Sequence, residues 1–268
     1  MLEIISCFAQ QVFSVVGIIA IFGLLCALSR KIFVSLLGNV GWFIINYVTG
    51  IIGTPIHELS HAFFNVIFGH KITKIDLYSP NDGDDALGYV AFNYNDKNIY
   101  HLIGLFFSGI GPIIGGSAVI ILLMYFLVPD LYYTLSMDLE VISTSTNFIE
   151  GYIEIFSSTI PNLFDSVNLS NFWFWLFLIL SLMIASHMEL SLADIQNASK
   201  GLIVLLVALL VIDIILYIVD SSILLSITDG FSYFGMYLSR VLFIGGLFNI
   251  FLVLIAIVIR VIARIIRR

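Results

Sequence analysis

Two histidines four residues apart, with a glutamate beside the first, stand inside a strongly apolar stretch: Ile56-His57-Glu58-Leu59-Ser60-His61-Ala62. On a helix, positions i and i+4 share a face, so both imidazoles can reach one metal ion. Glu58 lies next to them and can serve as general base on a water held by that ion. Zinc is the metal this pattern suits best, and it lowers the pKa of such a water to about 7. Two His and one Glu in an apolar run cost on the order of several kcal/mol in desolvation unless they are satisfied. A bound cation would satisfy them. A polar contact between two helices is the competing explanation.

Catalytic zinc sites usually present three protein ligands plus water. The third ligand here is best sought at Asp194, an acid at the end of a long apolar run and flanked by Leu192, Ala193 and Ile195. Asp194 also reads as a helix cap or an interfacial acid near Lys200. Glu189 competes with it as ligand. His187 precedes Asp194 by seven residues, about two helical turns, and so can face the same site, as a ligand or to stabilise an oxyanion; it reads equally well as a satisfied interfacial histidine.

These residues must be positioned by an apolar chain. Of 268 residues, 60% are hydrophobic and 11% charged, and the mean hydropathy is +1.08. Water-soluble domains are about half apolar and about a quarter charged. Several runs reach the length of about 18 residues that spans a hydrocarbon core. The runs are continuous rather than alternating, which disfavours a barrel. The expectation is an all-α polytopic membrane protein of about six to seven transmembrane helices, a single transmembrane domain over 1–268. A net charge of −7 argues against nucleic-acid binding. Cys7 and Cys26 would lie roughly 28 Å apart on one helix, too far for a disulfide.

Apolar spans are expected over about 11–29, 33–49, 55–68, 102–128, 172–185, 202–219 and 241–259, with Gly50, Gly53 and Pro55 dividing the second from the third. Between the histidine helix and the next span, 70–100 is polar. Its two alternating runs flank Asn81-Asp82-Gly83-Asp84-Asp85, which suggests a β-hairpin. The 129–171 loop carries six acids and no Lys or Arg, and its Phe148, Ile149, Tyr152 and Ile153 suggest an amphipathic helix on the membrane surface. Lys and Arg favour the cytoplasmic side. That rule places Arg30, Lys31, Lys71, Lys74, Lys97, Lys200 and the tail Arg260, Arg264, Arg267 and Arg268 inside. It places 129–171 outside and the C-terminus in the cytoplasm of a multi-pass protein of the cell membrane. Asp213, deep in the 202–219 span, reads as an interhelical hydrogen-bonding group or part of a proton or ion path.

Gly53-Thr54-Pro55-Ile56-His57-Glu58-Leu59-Ser60-His61-Ala62 resembles the first active-site helix of the site-2 protease family of intramembrane zinc metalloproteases. Ser108-Gly109-Ile110-Gly111-Pro112 is similar to that family's glycine–proline motif, and Asp194 matches its acidic third ligand by order and spacing. The resemblance covers about 50–200, a metalloprotease-like core. It departs at the third motif, where Ala193-Asp194-Ile195 stands in place of Leu-Asp-Gly. It implies a zinc-dependent endopeptidase that cuts a peptide bond in or near a transmembrane helix of a protein substrate, with zinc on His57, His61 and Asp194 and catalysis by Glu58, assisted by His187. The hairpin would pair with the unwound substrate as an added strand, and a regulatory membrane partner would control access. The alternatives are a non-enzymatic membrane protein, either a metal or ion transporter or a pseudoprotease that binds helices, and another membrane metallohydrolase acting near the cytoplasmic face.

Overall fold

The structure is a computed structural model that describes residues 2–80, 87–145 and 148–266, with the side chains of 139–145 and 148–149 outside the description. The expected turn at 81–85, the apolar side chains of Phe148 and Ile149, and Arg267 and Arg268 therefore fall outside the described residues.

Among the described residues the secondary structure is helical apart from one hairpin. Helices α1 (Leu2–Val12) and α2 (Ile18–Leu37) are joined by a π-helical turn at Phe13–Gly17. Gly38 then reverses the chain at φ 58, a conformation that side chains with a Cβ rarely adopt. The short α3 (Asn39–Phe43) leads through a second π-helical turn, Ile44–Thr49, into α4 (Gly50–Ile67), which carries both histidines. The break expected near residue 32 thus falls at Gly38. Pro55 lies inside α4 rather than opening it, because the π turn has already begun the helix upstream.

Strands β1 (Lys71–Asp76) and β2 (Tyr89–Asn93) pair antiparallel, with Ile72 opposite Phe92 and Asp76 opposite Tyr89, and a bulge between Ile72 and Lys74. Helices α5 (Ile99–Gly109) and α6 (Gly111–Leu127) meet at a bend of 58° rather than forming one straight span. The glycine–proline sequence that separates them explains the bend, since Pro112 lacks the N–H that would continue α5. The acidic 129–171 segment folds as α7 (Pro129–Ser145), α8 (Phe148–Leu163) and the short α9 (Ser166–Leu169). Then come α10 (Phe172–Ala185), α11 (Leu192–Val219) and α12 (Ser221–Ile266). The stretch between the spans expected at 202–219 and 241–259 is the beginning of α12.

Among the described residues, three helical stretches suffice by length and composition to cross a membrane: Leu2–Leu37, Leu192–Val219 and Ser221–Ile266, with a fourth if the bent pair α5–α6 is one span. The chain is thus mainly helical and built to sit in a membrane. The larger number of spans counted from the sequence includes α10, whose 14 residues extend only about 21 Å, against about 30 Å of hydrocarbon.

Side chains from α2, α5, α6, α10 and α12 form the main core, with Phe174, Phe177, Ile113 and Ile120 fully buried. Asn249 of α12 donates to the Ala185 carbonyl at the end of α10. It acts as the interhelical linker that apolar spans use asparagine for. Cys7 and Cys26 are both free and buried.

Candidate metal centre

Helix α4 presents His57 and His61 on one face, as the i, i+4 spacing requires. Their Nε2 atoms lie 3.1 Å apart. The His61 Nε2 atom is 3.2 Å from Asp194 Oδ1, and the His57 Nε2 atom is 3.8 Å from Asp194 Oδ2. Residues far apart in the chain thus place three ligand atoms within 4.8 Å of one another.

The hydrogen bonds behind these atoms fix their orientation. His57 Nδ1 donates to the His187 carbonyl at 2.7 Å, and His61 Nδ1 donates to the Ser108 carbonyl at 2.7 Å. A carbonyl can only accept, so in the neutral ring each Nδ1 carries the proton and each Nε2 keeps its lone pair. Two lone pairs and a carboxylate then converge, and they repel one another unless a positive charge relieves the repulsion. A cation does so, and ligating histidines ordinarily hold their second nitrogen in this way. Ligand atoms about 2.0–2.1 Å from a tetrahedral ion lie about 3.3 Å from one another. The observed 3.1, 3.2 and 3.8 Å bracket that value. The group can hold a metal ion. Imidazole and carboxylate donors are those of zinc and of other first-row transition metals.

Asp194 is both cap and candidate ligand. Ser191 is the N-cap of α11 and forms a capping box with Asp194: the Ser191 hydroxyl accepts from Asp194 N, and the Asp194 carboxylate accepts from Ser191 N at 2.8 Å and from its hydroxyl at 2.7 Å. These bonds fall on Oδ2, which leaves Oδ1 toward His61. The cap reading and the ligand reading therefore do not compete.

Small residues bring α11 close enough. A Cβ on Gly109 would stand 2.5 Å from the Asp194 carbonyl oxygen and 2.8 Å from Ala198 N. Both are backbone atoms that cannot move aside. Gly109→Ala should therefore cost about 1–3 kcal/mol and lower metal affinity by pushing Asp194 away from the histidines. Thermal melting and metal content measure the two effects. Gly230→Ala is the control, because nothing lies within 4 Å of its added Cβ.

The other candidates are placed differently. Glu189 pairs with Arg30 of α2 instead of joining the triad. The His187 ring is held by the end of the π turn. Its Nε2 donates to the Ile45 carbonyl at 3.2 Å and to Thr49 Oγ1 at 3.0 Å, and its Nδ1 takes the Thr54 hydroxyl at 3.4 Å. Both ring nitrogens are thus engaged away from the three ligand atoms, and His187 reaches the site through its carbonyl. Neither the carbonyl acceptors at 108 and 187 nor the role of Arg30 could be recognised in the sequence. The Ser-x-x-Asp capping pattern at 191–194 was the one visible sign of how Asp194 is held.

Glu58 is buried and lines the same cleft, yet its carboxylate accepts no hydrogen bond from any described residue. The cleft has a volume of about 510 Å³, and β2 supplies one wall through Tyr89, Val90 and Phe92. The hairpin is fastened over it. Tyr78 donates its hydroxyl to the Asn46 carbonyl at 2.9 Å, Leu87 is buried, and a Cβ on Gly88 would stand 2.9 Å from Glu58 Cγ.

No protein-family model matches the chain, and neither the curated proteins nor the solved structures contain a match.

Proposed function

We propose that the chain is a zinc-dependent intramembrane endopeptidase, divergent in sequence from the site-2 protease family it resembles. The observation that carries this reading is the convergence of His57 Nε2, His61 Nε2 and Asp194 in an apolar helical setting, with the Glu58 carboxylate, which accepts no hydrogen bond from the described residues, in the same cleft. A zinc ion held by those three residues would supply Lewis acidity, which polarises a carbonyl and acidifies water. The chain's own residues would do the rest. Glu58 takes a proton from the attacking water and returns it to the leaving amine. The Ser108 and His187 carbonyls keep both imidazoles in the tautomer that leaves Nε2 free. The apolar walls limit water to the cleft.

The substrate is a transmembrane segment of another protein, since peptides dissolved in water have no cause to enter an apolar bundle. A helix hides its carbonyls in its own hydrogen bonds, so the segment must be extended at the point of cleavage. The β2 wall lies beside Glu58 and offers strand pairing to such a segment. The alternation of Lys and Arg between segments supports a multi-pass arrangement in the cell membrane, with the acidic α7–α9 region outside and the C-terminus in the cytoplasm. Access would then be set by a membrane partner or by prior trimming of the substrate.

Deletion of 71–93 with a short polar linker is expected to leave metal content intact and abolish cleavage of a membrane-embedded reporter. Unchanged turnover would remove the hairpin from substrate binding. A pseudoprotease would bind the same segments, and its biological effect would be indifferent to Glu58→Gln.

A further inference from the structure

A second polar cluster lies well away from the triad. Asp213 follows Asp194 by 19 positions on α11 (213 − 194), about 28 Å along the helix axis. It is fully buried, with a relative exposure of 0%, and Gln11 of α1 and Thr228 of α12 are buried beside it at 1% and 3%. Gln11 Nε2 donates to Asp213 Oδ1 at 3.3 Å and to Thr228 Oγ1 at 2.8 Å. Thr228 in turn donates its hydroxyl to the Leu224 carbonyl. Two oxygens remain without a hydrogen-bond partner among the described residues, Asp213 Oδ2 and Gln11 Oε1. They belong to two groups already in contact, and both can only accept.

No Lys, Arg or His among the described residues pairs with Asp213. Glu3 and Cys7 of α1, Tyr217 of α11, and Asp229, Tyr233 and Tyr237 of α12 form no hydrogen bond with it. Asp220 is taken up by Ser222, and Arg240 by Leu135 and Ser158. An uncompensated carboxylate in hydrocarbon is among the costliest groups a helix can carry. A water would satisfy both oxygens but leave the charge. A divalent ion would reverse the charge instead of cancelling it.

We propose that Asp213, Gln11 and Thr228 form an ion site for one small monovalent cation, a hydron or a sodium ion, held by Asp213 Oδ2 and Gln11 Oε1. As a hydron it makes Oδ2–H a donor to Gln11 Oε1, so that one bound particle satisfies both orphaned oxygens. As sodium it is held by the same oxygens, a hard donor set suited to it. In either form it joins α1, α11 and α12, and it is independent of the metal centre.

The test compares the full-length wild type with Asp213→Asn, the neutral isostere, by thermal melting in detergent across pH and across sodium concentration at fixed ionic strength. At a cation concentration about a hundred times its Kd the wild type should gain roughly 5–10 °C in Tm beyond whatever response it shares with Asp213→Asn. A rise driven by sodium identifies the metal form. A rise driven by acid, together with an infrared carboxylic-acid carbonyl band absent from Asp213→Asn, identifies the hydron. Should that variant not fold, Asp213→Leu, which removes both carboxylate oxygens and suits an apolar helix, is read in the same way. Superimposable responses of wild type and variant to both cations, with no such band, overturn the site.

Discussion

Glu58→Gln is expected to lower peptide-bond hydrolysis by about 10²–10⁴-fold, the usual contribution of a positioned general base, while metal content and fold stay as in the wild type. The amide has nearly the shape of the carboxylate but cannot take a proton. Glu58 lies in the cleft wall and is not one of the three grouped ligand atoms, so its exchange leaves the set of His57, His61 and Asp194 whole. It makes no hydrogen bond with a described neighbour, so no packing interaction is broken by the change. The measurement is turnover of a membrane-embedded peptide reporter in reconstituted vesicles, with zinc determined on the same preparation. Undiminished cleavage at full zinc content would take the base role away from Glu58.

The second large effect is at Asp194. Asp194→Ala should empty the metal centre, because only two imidazoles remain and catalytic zinc is seldom held by fewer than three protein ligands. The same change removes the carboxylate half of the capping box on α11, so a loss of about 0.5–2 kcal/mol in stability should accompany it. Ser191→Ala separates the two contributions. It keeps all three ligands but removes the hydroxyl that donates to Asp194 Oδ2, and it should weaken metal binding by about 10–100-fold, as loss of a supporting contact does. Metal analysis of purified His57→Ala, Asp194→Ala and Ser191→Ala resolves the ranking. Full occupancy in Asp194→Ala would assign the third ligand elsewhere.

How far the sequence reached depended on whether a feature was local. The helical spacing of His57 and His61 and the alternation in 71–76 and 89–93 are local, and both appear as expected. The choice among Asp194, Glu189 and His187 was not local. It is decided by Arg30, over a hundred residues away, which claims Glu189, and by the π turn at Ile44–Thr49, which claims the His187 ring. No pattern of apolar residues announces a π turn, since one inserted residue does not disturb hydropathy. The helix ends were not legible for a related reason. Apolar composition locates hydrocarbon, but Leu2–Leu37 and Ser221–Ile266 continue as helix well beyond it.

That π turn carries two loads at once. Its Ile45 carbonyl holds the imidazole of His187, whose own carbonyl aims His57, and its Asn46 carbonyl holds Tyr78 at the base of the hairpin. Any pull on the hairpin is therefore transmitted within a few bonds to the anchorage of a candidate ligand. An incoming strand that tightens against β2 would stiffen that anchorage as it arrives, so that occupancy of the roof and alignment of the imidazoles rise and fall together.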